Sequence, residues 1–465
     1  MSDTEKKRSV AIIGAGIAGL TAGALLLRKG YQVTIFEKQS TIGGRALALP
    51  GSHLNLDTYQ TALKENNCFI AFSNPKMQTI FDRKYLDGYK VDLGYHAIGG
   101  GVLSNLNEVL SFFDESIDFL ESYVGFIYDN HYDFPFLSKA DKLKILPNIL
   151  RLLFASEKTL KRLDSVSITE TIGRYGKGKM KHILEVFSRT ITTVNNLDRI
   201  STGEMFRAQR NLYRGSKPVG YPVGGLGVIH EKLADIIDNL GGIIYLDTPV
   251  NKIVFEKNGV VGVHVDQRVK RFDSVVYSGL LQSLPHLVDG HAFPPSYIKM
   301  LKNLTGTGSL CGYYSLSSVP RELIGKTFHF IERDCGVDGT DAVGMVDFMS
   351  ASKDSKIAPP GEFLVQSYII CTPKEAKDAD MLSVLRNILD KHLSSLIPDY
   401  EHSLKWAIYP AVWHLDGVAK TIDNMKPQID TPIDNFFVIG DGVKAMGIGF
   451  NCALNSARKL VDLYF

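Results

Sequence analysis

The sequence contains no uninterrupted run of about 20 apolar residues, so no segment is expected to span a membrane. Its 5 cysteines (Cys68, Cys311, Cys335, Cys371 and Cys452) are scattered and include no CxxC pair. That argues against a zinc site or a disulfide framework and fits a reducing compartment. The 12 histidines show no metal-ligand spacing, so no metal centre is expected. Charge of either sign is not in excess: 52 Lys and Arg stand against 50 Asp and Glu, a net +2, which implies neither a nucleic acid nor an acidic partner. The opening MSDTEKKRS is polar and has no apolar stretch of the kind a signal peptide needs. A cytoplasmic protein, free or associated with a membrane, is the expectation. At 465 residues, 45% hydrophobic and 22% charged, the chain has the composition of a globular enzyme and the length of two to three domains.

What is present is concentrated first in Val10 to Glu37. A short apolar strand runs into Gly14-Ala15-Gly16-Ile17-Ala18-Gly19, a helix rich in Ala and Leu follows as far as Gly30, and a second strand, Tyr31 to Phe36, ends on Glu37. This is the dinucleotide-binding pattern. Gly14 permits the tight turn, Gly16 lets backbone approach a pyrophosphate, and Gly19 lets the helix pack closely on the sheet. Free N–H groups at the helix start, around Ile17 and Ala18, hold phosphate with the positive end of the helix dipole. Glu37 lies at the distance, about 20 residues on, where a carboxylate accepts the ribose hydroxyls, with Lys38 beside it.

After Glu37 and five further residues comes Gly43-Gly44-Arg45. A dinucleotide fold followed by E-x(5)-GGR resembles the FAD-dependent amine oxidase, phytoene desaturase and protoporphyrinogen oxidase superfamily, closest to its phytoene desaturase-like members. The resemblance implies an α/β fold: a Rossmann-type, glutathione-reductase-like FAD-binding domain, with an α+β substrate domain containing a mixed or antiparallel sheet and a helical lobe. It places Gly44 and Arg45 along the FAD pyrophosphate, which a guanidinium can fork onto. Val91-Asp92-Leu93-Gly94-Tyr95-His96 matches a further family segment. There His96 either touches flavin or substrate or is bonded to backbone. Residues 46–87 depart from the pattern and read as an insertion: a loop or small lobe over the cofactor, or an oligomer contact.

From Leu103 to about Leu212 the chain reads as helical. Within it, 139–163 (KADKLKILPNILRLLFASEKTLKRL) alternates leucine-rich turns with Lys and Arg. Such a basic amphipathic stretch either lies on an anionic membrane surface or turns its apolar face into the core. Pro222-Val223-Gly224-Gly225 opens the next unit, with a helix over Leu226–Leu240 and strands over Asn251–Glu256, Gly259–Asp266 and Val269–Tyr277. By resemblance, Val250 meets the adenine through its backbone. Strands at Ser309–Leu316, Thr327–Glu332, Ala342–Met349, Glu362–Ile370 and Ser403–Tyr409, with one helix at Met381–Leu396, suggest an antiparallel sheet. Tyr409, Trp413 and His414 are candidates for the pocket near the flavin ring, or else part of an aromatic core.

The last motif is FFVIGDG, Phe436 to Gly442. The resemblance puts Gly440 and Asp441 at the ribityl or phosphate part of FAD, and brings Gly449 and Phe450, at the start of the terminal helix, to the flavin ring. The expected cofactor is FAD, bound by 1–100, 215–288 and 411–465, with 101–214 and 289–410 forming the substrate domain. The implied activity is removal of hydride from a small apolar substrate of the carotenoid or prenyl-lipid kind. Alternatives are amine or porphyrinogen oxidation and, in another class, a Rab-escort or dissociation-inhibitor protein without flavin chemistry.

Overall fold

The computed structural model describes residues 8–94, 97–128, 131–134, 139–140, 143, 146–147, 150, 154–176, 179–210, 219–256 and 259–465. Strand Ser9–Ile13 is buried from Val10 onward, as its unbroken apolar run requires of a strand covered on both faces. It is central in a five-stranded sheet ordered Ile243–Tyr245, Gln32–Phe36, Ser9–Ile13, Ser274–Tyr277, Phe436–Val438. All four pairings are parallel, with Ile13 opposite both Phe36 and Tyr277, and Val438 opposite Tyr277. This register is what unites the two ends of the chain. Gly14 and Glu37 follow directly on the carboxyl ends of their strands, and Gly440-Asp441 follow one residue after theirs, where ligands of such sheets bind.

Helix Ile17–Arg28 packs on the sheet and against helices Gly227–Asn239 and Gly449–Tyr464. A Cβ on Gly19 would lie 2.0 Å from the Gly14 carbonyl oxygen, and Gly14 itself has φ +106°. Neither position admits another residue without moving the turn. An antiparallel three-stranded sheet (Lys252–Glu256, Gly259–Val265, Arg268–Arg271) packs near strand Ser274–Tyr277. The strand expected over Val269–Tyr277 is thus two strands in two sheets. Asp273 separates them: its Oδ2 accepts hydrogen bonds from the Ser9 N–H (2.7 Å) and hydroxyl (2.8 Å), docking the second half beside the central strand.

The second large layer is an eight-stranded sheet ordered Cys68–Asn74, Leu404–Val412, Gly308–Leu316, Phe363–Cys371, Thr340–Asp347, Lys326–Val337, Tyr123–Tyr128, His131–Asp133. Its pairings are antiparallel except between Lys326–Val337 and Tyr123–Tyr128. One expectation is corrected here. The stretch read as helical, Leu103 to Leu212, contributes two strands to this sheet and a third, Phe119–Glu121, to a small antiparallel one. Its run SYVGFIY is rich in aromatic and β-branched residues, which fit a pleated, half-buried surface. Residues 46–87, read as an insertion, form a short strand pairing with Lys90–Asp92, helix Leu56–Glu65, strand Cys68–Asn74 and helix Met77–Asp82. Strand Cys68–Asn74 closes the edge of the eight-stranded sheet, and from 46–87 the cavity described below is lined by Ala46, by Glu65 at the end of the helix and by the turn Asn66-Asn67.

Candidate functional site

One cavity of about 610 Å³ runs from the carboxyl ends of the parallel strands to one face of the eight-stranded sheet. Gly14, Gly16, Ile17 and Ala18 line it from the first turn, Glu37 and Lys38 from the second strand's end, and Gly44 and Arg45 from the next loop. Val250, Gly440, Asp441, Gly449 and Phe450 complete this half. Of the expected cofactor residues only Gly19 is outside the lining, because it sits under the helix against Gly14.

Two of the expected cofactor residues are also bonded within the protein. Glu37 is buried; its Oε2 accepts from Ala15 N–H (2.7 Å) and its Oε1 from Gln39 N–H (3.0 Å), so the carboxylate ties the glycine turn to the second strand. Arg45, expected along a pyrophosphate, forks onto Asp441, at 2.5 and 3.0 Å, and also donates to the carbonyl of His414 at 3.1 Å. Burial pushes the Asp441 pKa upward, but Arg45, the Gly417 N–H and Lys426 outweigh it and hold the carboxyl well below the usual carboxylate range. Lys426, itself buried, donates to the Asp441 carbonyl at 3.0 Å. Asp416, on the cavity wall, is ion-paired with buried Lys420.

The residues present fit a dinucleotide flavin. Helices Ile17–Arg28 and Gly449–Tyr464 both begin without a side-chain cap, so first-turn N–H groups are left for a ligand. A Cβ built on Gly16 would meet only the Gly43 carbonyl oxygen, at 3.9 Å, so the front of the turn is open to the cavity.

The far half of the cavity was not legible in advance. Val124, Phe187, Ile191, Val219, His329, Met345 and Tyr368 line it. Burial pushes His329 down to about 4, which keeps the ring neutral. His329, Met345 and Tyr368 lie on strands that were expected, but their shared face is set by pairing register, which periodicity alone does not reveal.

The aromatic candidates are corrected. Tyr409 is buried on the eight-stranded sheet with its hydroxyl on Asp390 at 2.7 Å, and Trp413 lies by Phe69 under the Lys377 ammonium. Neither lines the cavity. His414 reaches the site only through its carbonyl, which holds Arg45; burial, then Arg45 and Lys377, push its ring down to about 4. Residue 96 is outside the described residues, so the role read for His96 is not assigned here.

Fold and site together define a flavoprotein of the dinucleotide-binding class. The chain belongs to the flavin containing amine oxidoreductase family, whose profile matches residues 17–462, and FAD is its cofactor. Phytoene desaturase of Fusarium fujikuroi is 24% identical over 342 residues, covering 70% of this chain and 57% of that protein. The chain therefore spans little more than half the length of that curated relative. An oxidoreductase from Methanosarcina mazei shares the fold with TM-score 0.70 at 19% identity, over 98% of this chain and 100% of the other. Putrescine oxidase with bound putrescine superposes with TM-score 0.65 at 13% identity, over 98% of each chain.

Proposed function

We propose that the chain is an FAD-dependent oxidoreductase that removes hydride from an elongated apolar substrate, of the carotenoid or prenyl-lipid class. In this reading Gly14, Gly16, Ile17, Ala18, Glu37, Lys38, Gly44, Arg45, Val250, Gly440, Asp441, Gly449 and Phe450 hold the cofactor. Segments 1–100, 215–288 and 411–465 form the cofactor unit, and 101–214 with 289–410 the substrate unit. The observation that carries the reading is the far half of the cavity: the side chains it draws from the eight-stranded sheet and from Phe187–Ile191 include none that is charged.

FAD, when bound, supplies the hydride acceptor. The chain supplies position, exclusion of water and electrostatics. Phe187, Ile191, Met345 and Tyr368 enclose an apolar substrate and keep water from the reacting carbon. The uncapped start of Gly449–Tyr464 favours negative charge at that end of the cavity. A charge placed in the chamber tests this. Met345→Lys should leave FAD bound but lower the rate of flavin bleaching by a polyene at least 100-fold. An unchanged rate would remove the chamber from the reaction.

A second reading, oxidation of an amine, is supported by Phe187 and Tyr368, two rings on the chamber wall able to face a cation. Bleaching by amines and never by polyenes would establish it. A Rab-escort or dissociation-inhibitor role without flavin chemistry would leave the FAD residues without use.

Contact with an anionic membrane surface belongs to the same proposal. Leu143, Leu146, Leu150 and Phe154 are exposed at 71%, 44%, 43% and 82%, a spacing that puts them on one helical face. Lys158 and Lys161 then line a second cavity of about 760 Å³ with Arg207, Lys444, Arg458 and Lys459, and these cations outnumber its carboxylates Glu157, Asp164 and Asp462. Among the described residues no helix is long and apolar enough to cross a membrane.

A further inference from the structure

Behind the chamber, one step along the same sheet face, runs a row of buried polar side chains. Pairing register fixes it. Thr327 is opposite Asp347, Asp347 opposite Gln366, and Gln366 opposite Tyr313. The neighbouring row is His329, Met345 and Tyr368, which lines the chamber. Because side chains alternate along a strand, residues two apart share a face, so both rows point the same way.

A second buried carboxyl, Asp92, lies beside the row. Ser122 Oγ lies 2.5 Å from Thr327 Oγ1, and Thr327 donates to Asp347 Oδ1 at 2.7 Å. The Tyr221 hydroxyl donates to Asp92 Oδ2 at 2.6 Å, and the Gln366 amide, next to Tyr221, is buried with neither its oxygen nor its nitrogen hydrogen-bonded. Asp347 and Asp92 are 0% and 1% exposed, and Asp347 Oδ2 and Asp92 Oδ1 are both buried without a hydrogen-bond partner. Among the described residues neither carboxyl has an ion-pair partner. The titratable groups around them are Tyr221, Tyr313 and Lys90, and the Lys90 ammonium is bonded to the Gly224 carbonyl at 2.8 Å. Burial pushes both carboxyls up to about 7, so each exchanges a proton near neutrality.

We propose that this row is a proton reservoir: Asp347, with Asp92 as a second buried carboxyl beyond Gln366 and Tyr221, receives the proton that the substrate loses as its hydride goes to FAD. The proposal rests on the oxidoreductase reading above. Its chemistry balances. One substrate C–H bond breaks and its electron pair leaves with the hydrogen, reducing the flavin by two electrons. The adjacent C–H bond breaks and its pair becomes the new C=C bond, oxidising the substrate by two electrons and freeing one proton. On the sheet side of the chamber the titratable groups are His329 and Tyr368. Burial holds the imidazole too weakly basic to keep a proton and the phenol above its ordinary range. His329 therefore passes the proton on. The Cα atoms of Thr327 and Asp347 lie about 7 Å further along the same face, and His329 Nδ1, like Asp347 Oδ2, is buried without a hydrogen-bond partner.

Infrared difference spectroscopy of the FAD-loaded protein at pH 8 tests this, because a protonated buried carboxyl has its own carbonyl band. During reduction by a polyene that band should grow and then decay as the proton leaves to solvent. Reduction by dithionite, which brings no substrate proton, should not. Asp347→Asn should abolish the growth and slow bleaching at least tenfold. Thr327→Val, which removes a donor to the carboxylate, should move the band's titration upward by about one pH unit. No growth on polyene reduction, or growth undiminished in Asp347→Asn, overturns the proposal. If dithionite bleaches the flavin and no polyene does, the substrate reading fails instead. The resting protein then decides: a band that titrates near neutrality and is missing from Asp347→Asn supports a stored proton, and its absence at every pH overturns one.

Discussion

Three carboxyls set the behaviour of this protein at the scale of single residues, and they titrate in opposite senses. Asp441 is held below its ordinary pKa by Arg45, so its contribution to stability is present above about pH 4 and is lost as the pH falls further. Asp441→Asn leaves the Arg45 guanidinium with main-chain carbonyls and a neutral amide oxygen in place of its counter-ion. It should destabilise the folded chain by about 3 kcal/mol at pH 7 and weaken FAD retention, as read by thermal unfolding and by flavin content after gel filtration. Asp92 and Asp347 are raised to about 7, so the folded state binds their protons more tightly than the unfolded chain does. Below about pH 4 they change nothing, and between about pH 4 and 7 each erodes stability as the pH rises. The advantage of Asp347→Asn over the natural protein should therefore grow across that window to roughly 2–4 kcal/mol and then level off. Denaturant unfolding at pH 4, 6 and 8 measures it, and a constant difference would contradict the assigned shift.

At the scale of elements, the cofactor half was legible because its signals are local. The glycine turn, its flanking strands and the Glu37 position are contiguous in sequence, and the terminal FFVIGDG carries its own strand and turn. Register then brings the two ends together at Ile13 and Val438 on either side of Ser274–Tyr277. The eight-stranded sheet was legible as strands but not as a surface, since which face of Lys326–Val337 or Phe363–Cys371 meets the cavity depends on partners far away in the chain. Strand Cys68–Asn74 escaped notice for the same reason: its edge position is defined by pairing with Leu404–Val412. Tyr409, Trp413 and His414 drew attention as an aromatic cluster near the final motif, yet the sheet turns the two rings away from the cavity. Tyr409→Phe should therefore lose only the hydrogen bond to Asp390, about 1 kcal/mol, and leave flavin reduction within twofold of the natural rate. Stopped-flow bleaching checks this, and a tenfold loss would return Tyr409 to the site.

The whole molecule places a cofactor cleft on one sheet and a chamber on another, with a cationic pocket and an exposed leucine-rich face outside. Binding to vesicles with anionic headgroups should fall at least tenfold when Lys158→Glu and Lys161→Glu are combined, because both lysines line that pocket. Equal co-sedimentation of the variant would clear the surface of a membrane role. The central claim joins the two sheets: a hydride passes from an apolar chamber to FAD. Its most direct measurement is the visible spectrum of the FAD-loaded protein, recorded anaerobically before and after addition of a detergent-dispersed polyene precursor. The account predicts that the oxidised flavin bands bleach. A flavin that stays oxidised with every polyene, yet is bleached by an amine, would contradict it.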